Sequence, residues 1–414
     1  MPIDVLVLNT AVVDLRSPDF TFCDQLVGKG GLAKCRTEDM PLYSQEQIAD
    51  LIRQGKATAG GYGNNAPLMA RAGLSVAALS GFGKGEHETI DHRLLLDAQG
   101  KFYYDTMASS GINMTFAYAN PTLMTGTTFI HDASGGERGG IAYFPNANNE
   151  LNFSGAKAVI ELLQPRIVYY MYSGLSDCGD ANGGKDLADF IKWCRGQGAV
   201  TIADTHCLTG HVDEALRGTQ IVAGYNLLGP LLPEVDIFFC STDEAGMIAR
   251  NTELLGNFAK SRLVDPTFPS HFINKQIERR KKEESRTRLY GVTCSTGAYQ
   301  GGIMPDRHYS MARKVTSNFL TDQLVDLVGA GDSFRAGLIT YIANNLEAWR
   351  NGSIDIAKAV QMGNLFASIF ISAPLNDRYS GVLPYKTMNV VVEGGNTYAN
   401  RNKLIGALHA ISGR

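Results

Sequence analysis

The chain has 414 residues, of which 44% are hydrophobic and 19% are charged, and its formal net charge is −3. This composition is ordinary for a globular protein and argues against extended disorder. The small net charge gives no reason to expect a nucleic acid or an anionic membrane as a partner.

The sequence also indicates the compartment. No apolar run reaches the ~18 residues that a membrane span needs, and the first residues do not form a signal peptide pattern. The seven cysteines are odd in number and none lies in a Cys-x-x-Cys pair, which favours reduced thiols. We therefore expect a cytoplasmic protein.

Short apolar runs predict strands that are buried on both faces, as in a parallel sheet. These runs are Val5–Leu8, Val76–Leu79, Ile167–Met171, Val200–Ala203, Ile237–Cys240 and Leu289–Thr293. Between them, Lys185–Arg195 and Ser333–Asn345 carry apolar residues at helical spacing. The alternation of strands and helices predicts a doubly wound α/β fold.

Two regions interrupt this alternation. Residues 15–58 are irregular and polar, and residues 100–150 are rich in Thr, Tyr, Asn and Gly. The second region contains the stretches Thr127–His131 and Gly140–Phe144, whose alternating pattern predicts exposed antiparallel strands. We expect both regions to form a small β lid on one domain that spans residues 1–414, with a further insertion at 250–288.

The clearest chemical motif lies near the carboxyl terminus, at Asp326–Gly337. A glycine-rich turn over Gly329, Ala330 and Gly331 leads directly into an amphipathic helix, so backbone amides and the helix dipole converge on one point. Such a nest can stabilise a phosphoryl group during transfer. Asp332 is then placed to take the proton of an attacking hydroxyl, although an aspartate here could also serve only as a helix N-cap.

A second glycine-rich motif lies at Gly60–Gly73. Its Gly60 and Gly61 allow a close approach of the backbone to a ligand, and Asn64 and Asn65 offer the donors and acceptors that a polyhydroxylated ligand requires. Glycine-rich loops before helices are also common as purely structural turns, so this motif alone decides nothing.

Taken together, the two motifs resemble those of the ribokinase-like (PfkB) carbohydrate kinase family, which includes sugar kinases and adenosine kinases. Weaker similarities follow in the expected order at Asn9–Asp14, Gly136–Arg138, Asp236–Ala245, Met362–Asn364 and Gly381–Pro384. The resemblance implies a three-layer α/β/α ribokinase-like sandwich with a small β-sheet lid. It also implies transfer of the γ-phosphate of ATP, with Mg²⁺, to a hydroxyl of a sugar or nucleoside.

The resemblance implies a role for each matching residue. Asp332 would be the catalytic base, and the amides of Gly329, Ala330 and Gly331 would form the anion hole. The implied substrate-binding residues are Asp14, Gly60, Gly61, Asn64, Asn65 and Arg138. The implied nucleotide-side residues are Ser241, Glu244, Thr293, Ser295, Gly297 and Asn364, with Glu244 also holding Mg²⁺ through water. Asp326 and the carbonyl of Val328 would form a monovalent-cation site for K⁺.

Some positions depart from the family pattern. The spacing from Gly-Gly to Asn is one residue short, so Asn65 is an alternative to Asn64. Ser241 replaces the usual asparagine, which weakens the metal and phosphate relay. Leu327 and Val328 replace residues that are often threonines, and dependence on a monovalent cation becomes an open question.

Three alternatives to a sugar kinase follow from the same residues. A nucleoside kinase would use the same chemistry on another acceptor, and an apolar pocket beside Asp14 would favour it. A binding or regulatory protein without turnover is the second, motivated by Ser241. A nucleotide-dependent oxidoreductase is the third, and it is disfavoured because no dinucleotide fingerprint occurs. A homodimer formed through the lid is a further hypothesis.

Overall fold

The structure is a computed structural model that describes residues 3–29, 31–132, 139–210, 214–215, 221–251, 268–280, 286–305, 307–398 and 400–413. The Gly136–Arg138 segment and residues 252–267 and 281–285 of the 250–288 insertion therefore lie outside the described residues.

Three sheets account for the described strands. The strands are β1 Val5–Leu8, β2 Ala11–Ser17, β3 Leu32–Lys34, β4 Ala57–Gly61, β5 Val76–Leu79, β6 Gly81–Glu88, β7 Leu95–Leu96, β8 Tyr118–Asn120, β9 Gly126–His131, β10 Ile141–Phe144, β11 Ile167–Ser173, β12 Val200–Thr205, β13 Ile237–Ser241, β14 Arg288–Cys294, β15 Gly297–Met304 and β16 Arg307–Thr316.

The helices alternate with these strands over most of the chain. They are α1 Phe22–Val27, α2 Gln45–Arg53, α3 Ala66–Arg71, α4 Ala98–Ser109, α5 Phe153–Leu163, α6 Asp177–Asp180, α7 Lys185–Gly196, α8 Leu228–Leu231, α9 Thr242–Asn251, α10 Phe268–Arg280, α11 Ala330–Asn344, α12 Leu346–Arg350, α13 Ile356–Ile371, α14 Tyr385–Glu393 and α15 Arg401–Ser412.

The largest sheet has eight strands in the order β16-β15-β14-β13-β12-β11-β1-β5. The strands from β5 to β14 pair in parallel, and β15 and β16 extend that edge in antiparallel fashion. All six predicted apolar strands lie in its parallel part. The chain leaves β1 toward β5 on one side and returns to β11 on the other, and such a switch point opens a crevice at the carboxyl ends of the strands.

Helices cover both faces of this sheet, which confirms the predicted three-layer α/β/α sandwich. Within β1, Val5 and Val7 belong to one buried cluster, which includes residues of α11 and α13. Leu6 and Leu8 belong to a second cluster on the opposite face, with residues of α7 and α10. Because side chains alternate along a strand, a strand covered on both faces is apolar throughout, as the sequence pattern indicated.

A five-stranded sheet in the order β3-β10-β9-β2-β4 lies beside the carboxyl ends of the large sheet, and we call it the small sheet. Strands β9 and β10 pair antiparallel, as predicted from their alternating pattern. The prediction that they are exposed is wrong, because Gly126–Ile130 and Ile141–Phe144 are buried. Helix α1 packs against both strands and supplies the cover that the sequence pattern did not reveal.

The region 15–58 is also more regular than predicted, since it holds two helices, α1 and α2. Helix α2 begins with a capping box in which Ser44 and Gln47 each bind the other's backbone amide. Likewise, residues 98–109 form a helix within the second predicted lid region. Within the described residues, no helix is both long enough and apolar enough to cross a bilayer.

Asp97 joins helix α4 to the small sheet. Its buried carboxylate accepts hydrogen bonds from the Gly100 amide at 2.7 Å, the Thr125 amide at 2.8 Å and the Thr125 hydroxyl at 2.6 Å. We expect Asp97→Ala to lower the free energy of unfolding by about 2–4 kcal/mol, because it leaves buried donors unpaired. Asp355, an exposed N-cap that accepts one bond from the Lys358 amide, is the matched control.

The measurement is urea-induced unfolding followed by circular dichroism. Asp355→Ala should cost about 1 kcal/mol. Equal losses in the two variants would contradict the assignment of Asp97 as the link between helix and sheet.

Candidate active site

Polar side chains gather where the parallel strands of the large sheet end. Tyr172 lies at the end of β11, Asp204 at the end of β12, Ser241 at the end of β13 and Thr293 near the end of β14. The beginning of α11, with Asp332 in its first turn, faces the same crevice. The topology thus places residues far apart in sequence around one point.

Asp332 lies at the centre of this group and is 4% exposed. Its Oδ2 accepts hydrogen bonds from the Tyr172 hydroxyl at 2.6 Å and from Asn64 Nδ2 at 3.1 Å. Its Oδ1 accepts one from Arg335 Nη1 at 3.2 Å. Burial raises the pKa of Asp332, and the Arg335 guanidinium and the two Oδ2 donors act against that rise.

Arg335 connects Asp332 to a second buried carboxylate. Its Nε lies 2.9 Å from Asp204 Oδ2, and Asp204 also accepts a hydrogen bond from the Tyr172 amide at 2.6 Å. Burial raises the pKa of Asp204 to about 6, against the effect of Arg335. One guanidinium therefore holds two carboxylates that would otherwise repel each other in a site of low dielectric.

The turn before α11 is shaped by Gly329. Its φ of +88° and ψ of +6° are close to the values that the third residue of a type II turn requires, which favours glycine. The Ala330 N–H donates to the Leu327 carbonyl at 3.1 Å, so this amide of the predicted anion hole already has an acceptor. No side chain of the described residues caps α11, so the amides of Gly331 and Asp332 remain as its first-turn donors.

Asp14 lies on β2 of the small sheet and is 5% exposed. Burial raises its pKa to about 6, while Arg16, a hydrogen bond with Thr128 and Arg378 act to lower it. A Cβ on Gly60 would lie 2.5 Å from each carboxylate oxygen of Asp14. A residue with a side chain at position 60 would therefore clash with the Asp14 carboxylate, and glycine avoids this clash.

A cavity of about 240 Å³, which we call the central cavity, lies between the small sheet and the start of α11. Predicted residues in its lining are Asp14, Gly61, Asn64, Ser241, Glu244, Thr293, Val328, Gly329, Ala330, Gly331 and Asp332. Gly60 is not part of this lining and instead packs against the Asp14 carboxylate. Asn65 instead points its Nδ2 at the Met171 sulfur, 3.4 Å away. Of the two asparagines, it is therefore Asn64 that lines the cavity. Arg138 lies outside the described residues.

A second recess, which we call the outer groove, adjoins the central cavity. Its lining includes the predicted nucleotide-side residues Ser241, Thr293, Ser295, Gly297 and Asn364. The two recesses share Ser241, Thr293, Leu327, Ala330 and Gly331. They therefore meet at the glycine-rich turn, beside Asp332.

Glu244 and Ser241 form a capping box at the start of α9. The Ser241 amide donates to Glu244 Oε2 at 2.7 Å, and the Glu244 amide donates to the Ser241 hydroxyl at 3.2 Å. Glu244 is 8% exposed, and burial raises its pKa to about 7 while Arg335 acts to lower it. The residue therefore combines a structural role with a place in the cavity lining.

The predicted monovalent-cation site is surrounded by arginines. Asp326 Oδ2 pairs with Arg378 Nη2 and with Arg16 Nη2, the latter at 2.8 Å. The Val328 carbonyl accepts a hydrogen bond from Arg378 Nη1 at 3.4 Å. Among the described residues, no cluster of three or more His, Cys, Asp or Glu side chains could hold a metal ion.

Several residues of the site did not stand out in the sequence, namely Tyr172, Asp204, Arg335, Arg16 and Arg378. Tyr172 and Asp204 directly follow predicted strands, and polar residues at the carboxyl ends of parallel strands are a usable signal. Arg335 lies one helical turn after Asp332, on the same side of the helix. Nothing in the local sequence distinguishes Arg378.

The chain folds as a three-layer α/β/α sandwich with two adjoining recesses at the carboxyl ends of its parallel strands. The family model for pfkB family carbohydrate kinases matches residues 313–376, which include the Gly-Ala-Gly-Asp turn. The resemblance to the PfkB family predicted from the sequence motifs is thereby confirmed. No curated protein matches the chain.

Solved structures share the fold over nearly the whole chain. A probable sugar kinase from Rhizobium etli has a TM-score of 0.59 at 17% identity and covers 95% of this chain and 99% of its own. Adenosine kinase from Sinorhizobium meliloti has a TM-score of 0.57 at 18% identity, and the match covers 92% of this chain and 98% of that one. Adenosine kinase from Anopheles gambiae has a TM-score of 0.62 at 16% identity, and the match covers 91% of this chain and 97% of that one. At these identities the similarity establishes the fold.

The raised pKa of Glu244 predicts how stability depends on pH. A proton on folded Glu244 stabilises the fold at low pH, and this contribution is lost as the pH rises through about 7. Glu244→Gln keeps a neutral acceptor for the Ser241 amide. It should therefore raise the free energy of unfolding by about 2–3 kcal/mol at about pH 8.

Urea-induced unfolding at two pH values checks this expectation. At about pH 5 the protonated acid and the amide are both neutral in the folded state, so the gain should shrink to about 1 kcal/mol or less. An effect of the same size at both pH values would contradict a buried, titrating Glu244.

Proposed function

We propose that this protein is an ATP-dependent kinase that transfers the γ-phosphate to a hydroxyl of a sugar or sugar-containing small molecule. One observation carries the proposal. A buried carboxylate, Asp332, lies in the first turn of α11 and lines the central cavity next to Gly331, which the cavity shares with the outer groove. An acceptor in the central cavity and ATP in the outer groove would meet at this carboxylate, where a base is needed.

Asp332 would act as the general base. The acceptor hydroxyl would give its proton to the carboxylate while its oxygen attacks the γ-phosphate in line and ADP leaves. Tyr172, Asn64 and Arg335 fix the carboxylate through three hydrogen bonds. Orientation by fixed partners lowers the entropic part of the barrier.

The start of α11 would stabilise the transferred group. Negative charge on the equatorial oxygens would meet the amides of Gly331 and Asp332 and the positive end of the helix dipole. The Ala330 amide already bonds the Leu327 carbonyl, so we assign it chiefly to the shape of the turn. Of the predicted anion hole over Gly329, Ala330 and Gly331, we therefore keep the Gly331 amide and add that of Asp332.

Asp14 would hold an acceptor hydroxyl. It lines the central cavity together with Asn64, whose side chain donates to Asp332. The small sheet would act as a lid, since Ile130, Ile141 and Tyr143 line the cavity from its strands. Covering the acceptor in this way excludes water, which would otherwise compete as the phosphoryl acceptor.

The residues present fit a Mg²⁺ ion carried on the ATP phosphates. Mg²⁺ keeps several waters and takes one or two carboxylates together with phosphates. Glu244 and Asp332 line the central cavity next to Ser241 and Gly331, which the cavity shares with the outer groove. When bound, the ion would neutralise phosphate charge. Glu244 would hold it through water, because its Oε2 already accepts the Ser241 amide.

A nucleoside kinase is the second candidate, favoured by the apolar wall of the cavity. Leu32, Ile130 and Ile141 form a separate hydrophobic cluster on the small sheet, and all three line the central cavity. Such a wall would suit the base of a nucleoside better than a free polyhydroxylated sugar. The homodimer through the small sheet remains a prediction.

The test is ADP release from ATP and Mg²⁺ with a panel of sugars and nucleosides, using the wild type and Asp332→Asn. We expect one acceptor class to give turnover and the variant to lose about 10³-fold in kcat, because the amide cannot accept the proton. Asp322→Asn is the control, since Asp322 is exposed and binds Asn400. It should retain wild-type turnover.

Each outcome decides between the candidates. Turnover with nucleosides alone would establish the nucleoside kinase, and turnover with free sugars would establish the sugar kinase. ATP binding without turnover on any acceptor would overturn the kinase proposal in favour of a binding or regulatory protein. Full activity in Asp332→Asn would overturn the assignment of the base.

A further inference from the structure

We propose that Arg378 takes the place of an activating monovalent cation beside the anion-binding turn, so that this protein works without K⁺. The inference rests on the proposed kinase function for its activity readout. It concerns the two oxygen ligands, Asp326 and the Val328 carbonyl, at which the family resemblance implies a bound cation.

Both ligands are already bound to guanidinium groups. Arg378 Nη2 pairs with Asp326 Oδ2, and Arg378 Nη1 donates to the Val328 carbonyl at 3.4 Å. Arg16 Nη2 adds a second ion pair to Asp326 Oδ2 at 2.8 Å. The other oxygen, Asp326 Oδ1, accepts the Val328 amide at 2.9 Å.

The arrangement is a packed part of the interior. The side chain of Arg378 is 4% exposed and that of Arg16 is 11% exposed. The Arg378 guanidinium also lies over the ring of Phe370, 4.8 Å from its centroid, a cation–π contact that helps to hold it in place. Arginine stays protonated at any physiological pH, so the positive charge is permanent.

The local charge balance argues against an added ion. The two guanidinium groups of Arg16 and Arg378 are balanced by two carboxylates. Both arginines pair with Asp326, and both also interact electrostatically with Asp14. A K⁺ ion entering here would gain no uncompensated negative charge and would meet two positive groups at short range. The residues therefore do not fit a monovalent cation.

Arg378 would supply the effect for which a cation is used. Its partner Val328 directly precedes Gly329 in the turn, so the guanidinium places a fixed positive charge next to the amides that receive the phosphoryl group. A charge built into the chain needs no binding step, so activity should not depend on which salt is present.

The test compares the chlorides of K⁺, Na⁺ and tetramethylammonium at equal ionic strength. For the wild type we expect turnover, ATP affinity by calorimetry and melting temperature each to agree within about 2-fold, or about 2 °C, across the three salts. Arg378→Met removes the charge but keeps a long side chain over Phe370. It should lose about 10-fold or more in turnover in tetramethylammonium, and K⁺ should restore part of this loss and raise its melting temperature.

Two further variants keep the result interpretable. Arg378→Lys retains the charge and should stay insensitive to K⁺, even if it is slower. Arg71→Met is the matched control, because Arg71 binds the carbonyls of Val382 and Ser380, a few residues after Arg378 and away from Asp326. It should behave as the wild type in all three salts.

Stimulation of the wild type by K⁺ over tetramethylammonium of about 5-fold or more, in turnover or in ATP affinity, would overturn the inference. If no acceptor is turned over, the kinase proposal fails, but ATP affinity and melting temperature in the three salts still decide this one. If Arg378→Met does not fold, the wild-type and Arg378→Lys series decide it.

Discussion

The buried carboxylate of Asp332 is the constraint on which the rest of the site depends. A carboxylate without partners in the interior would be strongly unfavourable. Here three donors from separate parts of the chain, Asn64, Tyr172 and Arg335, hold it at the point where the cavity and the groove meet. Charge-assisted hydrogen bonds both offset its desolvation and fix its direction. The same hydrogen bonds link three parts of the fold, namely the segment after β4 that contains Asn64, strand β11 and helix α11.

Three arginines compensate buried negative charge at two places. Arg335 lies between Asp332 and Asp204, and Arg378 with Arg16 surrounds Asp326. In both places a guanidinium is suited to the task because it is permanently charged and offers several donors in a fixed plane. These guanidinium groups therefore compensate carboxylates of the protein itself, and the charge of a transferred phosphoryl group would be left to the amides and the dipole at the start of α11.

Much of this could be predicted from the sequence, because the relevant signals are local. The buried parallel strands are apolar runs, and the Gly329–Asp332 turn is a continuous motif. The partners of Asp332 could not be predicted in this way, since Asn64 lies 268 residues and Tyr172 160 residues away in sequence. Similarly, β9 and β10 have an exposed pattern but are covered by α1, and Arg378 meets Asp326 only through the packing of the loop after α13.

The pH dependence of kcat/KM tests the central claim most directly, because the base must be ionised to accept a proton. The pKa of Asp332 is raised by burial, and those of Asp14 and Glu244 are raised to about 6 and about 7. We therefore predict that kcat/KM falls as the pH is lowered below neutrality, and that Arg335→Met moves this fall to higher pH, because the guanidinium acts to lower the pKa of Asp332. A fall at the same pH in the variant and the wild type would contradict the account.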